Sequence, residues 1–118
     1  MYYVMEKHFN NWLTQIKKGY LDLCILMLIE ANQKAYGFQI IALLEDLNLS
    51  IKEGTLYPLL NRMTADELLT AKWETENIQG NPRKFYSITP QGLKTLEQMT
   101  LEFQSMNKIF TKIKKIGG

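Results

Sequence analysis

The chain has 118 residues, 46% of them hydrophobic, and a net charge of +2, which suits one globular domain with its own core. No apolar run approaches the roughly 20 residues that cross a bilayer, and the start, Met1 to His8, lacks the segments of a secretory leader, so the expected compartment is the cytoplasm, with no membrane partner. One cysteine, Cys24, excludes an internal disulfide; among Leu21, Leu23, Ile25 and Leu28 an inert buried thiol is favoured over a redox sensor.

Phe9, Trp12, Leu13, Ile16, Tyr20, Leu23, Cys24, Met27 and Leu28 recur at spacings of three and four, which predicts a long first helix. Gly19 interrupts the pattern at a cost of about 1 kcal/mol relative to Ala, and marks a bend or a close contact. Ala31 to Ala35 is a short connection, and Tyr36 to Leu47 reads as a second helix with Phe38, Ile41 and Leu44 inward and Ile40 as a further candidate. Asn48-Leu49-Ser50 is the turn into a third.

The third helix carries the most informative stretch. Ser50 and Glu53 stand three apart, the spacing of a capping box. Leu56, Leu59, Leu60 and Met63 then mark one buried face. The rest of the helix holds Gly54, Tyr57, Pro58, Asn61 and Arg62. A merely solvated face would carry Lys, Glu and Gln instead. Gly lets another backbone approach closely. Pro58 disfavours a helix interior by about 3 kcal/mol and needs a reason to be there. Such a surface suits the major groove of DNA, which is wide enough for a helix. Asn61 and Arg62 are base-reading or phosphate-holding types, with phosphate the preferred role. Tyr57 sits to the side of the apolar stripe, so core packing and DNA contact both stay open.

Leu69 to Glu76 reads as a strand, Asn77 to Pro82 as a turn, and Arg83 to Ile88 as the returning strand. Two helices followed by a hairpin with cations beside its tip describe a winged helix-turn-helix. Arg83 and Lys84 alone would read as charges that blunt a sheet edge; beside the third helix they read as phosphate ligands on the wing. Thr89-Pro90 opens the last helix, with Thr as N-cap and Pro at the first helical position. Leu96, Met99, Phe103, Met106, Phe110 and Ile113 follow at spacings of 3, 4, 3, 4, 3, the seam of one helix along another. That seam covers the chain's own first helix or packs across a two-fold axis, and dimerisation is favoured.

Chemistry for catalysis is sparse. The only histidine is His8, no Cys/His cluster has metal spacing, and no glycine loop cradles a phosphate. No enzyme activity, cofactor or metal is expected.

The chain resembles the PadR family of transcriptional regulators. The resembling segments are Lys18 to Leu23, Tyr36 to Ile40, Gly54-Thr55-Leu56-Tyr57-Pro58-Leu59-Leu60, and Pro82 to Thr89 with Gly92. They occur in the family's order over most of the chain, and the Gly-Thr-Leu-Tyr-Pro run together with Arg-Lys-Phe-Tyr is a specific combination. The resemblance implies a DNA-binding regulator of the short type, with a single C-terminal helix for dimerisation. Many relatives respond to phenolic or planar drug-like compounds. In some of them a Trp stands where this chain has Phe103, which leaves a smaller stacking platform that Trp12 can compensate. Where the family usually has Gly after the third helix, this chain has Glu67, so that helix end is either strained or differently shaped.

The expected protein is mainly α with a β-hairpin wing. Residues 1–89 form a winged helix-turn-helix with an N-terminal helical extension, and residues 90–118 a dimerisation helix. The expected DNA-binding residues are Lys52, Gly54, Thr55, Tyr57, Pro58, Asn61, Arg62, Arg83 and Lys84. Dimerisation falls to Leu96, Met99, Phe103, Met106, Phe110 and Ile113. Phe9, Trp12 and Phe103 are the candidate effector site, against the plainer reading of hydrophobic packing. The expected role is a repressor on a roughly palindromic operator, with half-sites about one helical turn apart. A winged-helix module for protein interaction is the rival that the low net charge favours.

Overall fold

A helix with apolar residues on two faces starts the chain and decides its architecture. The computed structural model describes residues 2–75 and 81–118, the first four of them by backbone alone. Helix α1, Tyr2–Asn32, runs unbroken through Gly19, where an added Cβ would meet nothing within 4 Å. Gly19 therefore neither interrupts the helix nor marks a close contact within the chain. Ile25, Leu26 and Ile29 are fully buried, and Leu23 nearly so. Of the stripe that predicted the helix, only Leu23 enters the core and Cys24 and Leu28 line it; Phe9, Trp12, Ile16, Tyr20 and Met27 are exposed in the single chain. The core therefore takes one side of α1 and leaves a second apolar side uncovered.

Beyond Asn32 the backbone turns through Gln33, at φ 68°, into a two-residue strand β1, Ala35–Tyr36, which the sequence pattern did not reveal. Helix α2 is Gly37–Asp46. The Tyr36 backbone N–H donates to Gln39 Oε1 at 3.3 Å, half of a capping box. Gly37, Ile40 and Leu44 face inward, whereas Phe38, expected inside, is 60% exposed. One residue turns a helix by about 100°, so a stripe anchored on Gly37 rotates Phe38 out.

Helix α3 is Glu53–Ala65, with Leu56, Leu60 and Met63 buried as expected. Its start corrects the sequence reading. The N-cap is Lys52, without a side-chain cap bond, so Glu53 is the first helical residue and no Ser50–Glu53 capping box forms. Buried Ile51 stands just before the cap and buried Leu56 at the fourth helical position, both in the one core. That is the arrangement of a hydrophobic staple, and it fixes where the chain turns into the helix.

The end of α3 resolves the Glu67 question. Glu67 has φ 64°, in the left-handed region that glycine favours. Its N–H donates to the Thr64 carbonyl at 3.0 Å and the Leu68 N–H to the Met63 carbonyl at 2.9 Å. This is a Schellman cap. The left-handed turn that glycine usually makes is made here by Glu67, at a strain of about 1–2 kcal/mol for an L-residue in that conformation.

Strands β2, Leu69–Glu74, and β3, Arg83–Ile88, pair antiparallel from Leu69 with Ile88 to Glu74 with Arg83. The first strand ends two residues short of the expected Glu76. Glu76 and the turn expected from Asn77 to Gly80 lie outside the described residues. β1 pairs with the other edge of β3, so the sheet order is β1-β3-β2. Tyr86 and Leu69 are buried on the inner face. Alternation then places Ala71, Trp73, Lys84 and Ile88 on that same face, and Lys72, Glu74, Arg83 and Phe85 on the outer one.

Helix α4, Pro90–Ile116, begins as expected: the Thr89 side chain accepts from the Gly92 N–H at 2.9 Å, and Pro90 occupies the first turn. Its apolar seam splits. Leu96 joins the core, Met99 and Phe103 pack against it, and Met106, Phe110 and Ile113 are exposed. Twenty-seven residues make a rod of roughly 40 Å. The radius of gyration is 17.3 Å, above the roughly 13–14 Å of a compact domain this size, because α1 and α4 outrun the core they share.

Candidate nucleic-acid interface

With Leu56, Leu60 and Met63 turned inward, α3 presents Gly54, Thr55, Pro58, Asn61 and Arg62 to solvent, all exposed. The glycines of this chain separate by cause. A Cβ on Gly92 would run into the Leu68 carbonyl, and one on Gly37 into the Tyr57 ring. A Cβ on Gly54 would meet nothing within 4 Å. Internal packing therefore explains Gly37 and Gly92 and leaves Gly54, like Gly19 of α1, without a reason among the described residues. Pro58, four residues on, lacks the N–H that would bond to the Gly54 carbonyl in a regular helix. The start of α3 thus offers a low profile and a carbonyl without its helical partner, side by side.

Tyr57 is half-buried. Its hydroxyl end lies against Gly37, and burial, with Glu53 nearby, raises its pKa. It wedges α2 against α3. Burial first and the charge of the Tyr57 group second raise the pKa of Tyr86. Lys52 is exposed at the N-cap, where its carbonyl accepts from the N–H groups of Thr55 and Leu56, each at 3.0 Å.

Arg62 is not a free cation. Its Nη2 donates to both carboxylate oxygens of Asp22 on α1, at 2.8 and 2.7 Å. The pair ties the outer face of α3 to α1. A sequence pattern could not show it, because the partners stand 40 residues apart.

The two wing cations point to opposite faces. On the outer face the Arg83 guanidinium lies 4.4 Å from the Tyr36 ring centroid, and Tyr36 meets Phe85 edge-on at 5.3 Å. Lys34 covers Phe85 at 4.8 Å while donating to both oxygens of Glu74 at 2.9 Å. On the inner face the Lys84 ammonium lies between Trp73 at 5.9 Å and Tyr86 at 5.7 Å. Such cation–π contacts hold long side chains in place at about 0.5–1 kcal/mol each when exposed. Arg83 and Lys84 therefore flank the ribbon rather than share one point. Strand parity already contained that separation; Lys34, Tyr36 and Trp73 were the neighbours it did not single out.

The expected effector residues fall into two places. Phe9 and Trp12 stack at 6.0 Å, 54% and 53% exposed. Phe103 pairs with Tyr20 at 5.7 Å instead, about 12 Å along α1 from Trp12 at 1.5 Å per residue. One chain does not bring all three together. Cys24 sits beside Tyr20, its thiol pKa raised by burial and partly lowered by the Tyr20 hydrogen bond. The two line a groove of about 350 Å³ with Met27, Leu44 and Leu47.

Comparison with known proteins fits this geometry. The family model described as "Transcriptional regulator PadR-like family" matches residues 25–98. A PadR-like transcription factor from Bacteroides fragilis is 38% identical, with a TM-score of 0.74 over 87% of this chain and 98% of that one. A PadR family transcriptional regulator from Eggerthella lenta is 25% identical, with a TM-score of 0.78 over 93% and 95%. An uncharacterised protein of Lysinibacillus sphaericus is 31% identical over 99 residues, 81% of this chain and 89% of that protein.

Proposed function

The chain belongs to the PadR-like family of transcriptional regulators, and on that premise we propose that it is a homodimeric, sequence-specific DNA-binding repressor released by a small aromatic effector. In this reading α3 enters the major groove through Gly54, Thr55, Pro58 and Asn61. Lys52 at its start and Arg83 and Lys84 on the wing hold phosphates on either side. Arg62 holds a phosphate more weakly, because Asp22 already compensates its charge. Tyr57 acts from beneath, as the wedge that sets the angle of the helix. The observation that carries the proposal is Gly54, exposed and without an internal reason, beside Pro58.

Two linked heads give the affinity of both at once, and the exposed second half of the α4 seam, Met106, Phe110 and Ile113, supports a second copy as its cover. The uncovered side of α1 continues that surface. In such a dimer the Phe9–Trp12 stack stands at the seam, where a planar guest can slide between aromatic rings. A shift in helix packing there changes the separation of the heads.

The test is footprinting on the DNA upstream of the chain's own gene, with affinity followed against salt. A regulator protects a roughly two-fold symmetric site, and its log affinity falls steeply and linearly with log salt. A protein-interaction module, the reading that the net charge of +2 favours, shows neither.

A further inference from the structure

The wing carries a large apolar side chain that neither the core nor the proposed interface uses. Trp73, near the end of β2, is 62% exposed. Its strand partner across the ladder is Lys84, and it shares the inner face of the sheet with Ala71 and Tyr86. That face leads back to α3: β2 packs against the helix, and buried Tyr86 shares the core with Leu56, Leu60 and Met63. Tyr86, Lys84 and Trp73 thus form one run from the core out along the inner face of the wing. Trp73 lies on the face of the sheet that packs, nearer its base, on the core to which α3 belongs.

Its surroundings select the occupant. The described residues of the wing and the adjoining β1 turn include the cations Lys34, Lys72, Arg83 and Lys84, and the acid among them, Glu74, is held by Lys34. The cation beside the indole is Lys84, which pairs with no acid among the described residues, and Lys72 and Arg83 stand on the other face of the same narrow ribbon; an apolar protein partner gains little from that charge. A polyanion with flat apolar sugar faces gains from both the charge and the ring. Lys84, 5.9 Å from the indole, then neutralises the phosphate next to the sugar that the ring covers.

We propose that Trp73 is a DNA contact: its indole lies on a deoxyribose of the backbone beside the half-site and supplies a part of the affinity that salt does not screen. The inference rests on the DNA-binding reading above and deepens it, because it adds a residue and a kind of contact that the cations cannot provide. Stacking of an aromatic ring on a base is worth about 1–3 kcal/mol by substitution, a loss of roughly fivefold to over a hundredfold, and contact with the smaller face of a sugar is set at the lower end of that range.

The experiment uses the full chain and a fluorescein-labelled 40-base-pair duplex (length chosen at roughly four helical turns) from the DNA upstream of its gene, with a scrambled duplex beside it. Trp73→Leu should weaken binding to both duplexes by about tenfold and leave the salt slope unchanged, while Trp73→Phe keeps most of the affinity. Tryptophan emission should change when wild-type protein is saturated with unlabelled duplex, and most of that change should vanish in Trp73→Leu. Thermal melting of each variant establishes that it folds. Wild-type affinity in a folded Trp73→Leu protein, or emission that DNA does not alter, overturns the assignment and leaves the regulator reading standing. Absence of salt-dependent binding by the wild-type chain overturns both.

Discussion

Replacing Gly54 with Ala separates the two explanations of the exposed face of α3, because it moves stability and DNA affinity in opposite directions. A Cβ there meets nothing within 4 Å, so the folded chain has room for it. Ala improves on Gly by up to about 1 kcal/mol inside a helix; position 54 lies in the first turn, so about 0.5–1 kcal/mol is a fair range. Unfolding entropy of about 2.1 cal/mol/K per residue gives roughly 0.25 kcal/mol/K for 118 residues. The melting temperature should therefore rise by about 2–4 °C. On DNA the same methyl has to push a base edge or phosphate away from the helix. Overpacking of that kind costs about 1–3 kcal/mol, a loss of roughly fivefold to a hundredfold per reading head. Scanning calorimetry and fluorescence anisotropy on one preparation supply both numbers. A more stable variant with wild-type affinity would show that nothing approaches Gly54, and the major-groove assignment of α3 would fail. A less stable variant would mean that Gly54 has an internal role after all.

The other expectations are simpler. Arg83→Ala with Lys84→Ala should weaken binding to every duplex alike and lower the salt slope by about 1–2 units per head; a changed sequence preference at constant slope would refute a phosphate role. Asp22→Asn removes the acid that pairs with Arg62; stability should change by no more than about 1 kcal/mol, as for exposed ion pairs, while the salt slope steepens by about 0.9 per head, and the added Arg62→Ala should cancel that gain. If it does not, Arg62 is only a strut. Met106→Glu places a charge on the exposed part of the seam, so sedimentation should show monomers, and operator affinity should collapse as two linked heads become one; wild-type monomers at micromolar concentration would remove the dimer itself. A planar aromatic ligand at the seam should quench Trp12 and shift operator affinity by about 5–150-fold, and Trp12→Leu should abolish the quenching; a panel of phenolics and aromatic cations that does neither would leave Phe9 and Trp12 as plain packing.

Legibility in the sequence tracked how local the cause was. The bounds of β3 and the start of α4 followed from neighbours alone: Pro82 before the strand, Thr89 and Pro90 after it. The buried face of α3 followed from one strong stripe. Helix α1 was harder, because Ile25, Leu26 and Ile29 compete with Phe9, Trp12, Ile16 and Tyr20 for the core, and only the tertiary fold decides between two apolar faces. Ser50 and Glu53 made a plausible cap that burial of Ile51 overrode. A two-residue strand such as β1 has no periodicity to read. It exists because β3 offers an edge to Ala35 and Tyr36. At the interface, residue types on α3 and the wing were readable, but pairings were not. Arg62 with Asp22, and Lys34 with Glu74, each join residues 40 apart.

On the proposed reading such long-range contacts bear on control, because some of them fasten α3 to the rest of the chain. The outer face of α3 is tied to α1 by Arg62 and Asp22. Its far end is tied to α4: Thr89 Oγ1 donates to the Glu67 carbonyl at 2.7 Å, and the Thr89 N–H donates to the Leu68 carbonyl at 3.0 Å. Gly92 completes the joint, since only a residue without a Cβ lets the first turn of α4 rest on that carbonyl. The two helices that outrun the core are thus the two that grip α3, both near its C-terminal end, where Arg62 stands in the last turn and Glu67 and Leu68 follow it. The strained turn at Glu67 sits inside the second grip, so a conformation costing about 1–2 kcal/mol is held by bonds that α4 itself provides. If α1 and α4 form the seam of a dimer, a rotation at that seam cannot leave α3 where it was. The motion reaches α3 through the shared core and through Asp22 and Thr89, and on the proposed reading of a ligand-released repressor these two polar joints are the places to test for uncoupling without touching the ligand or the DNA.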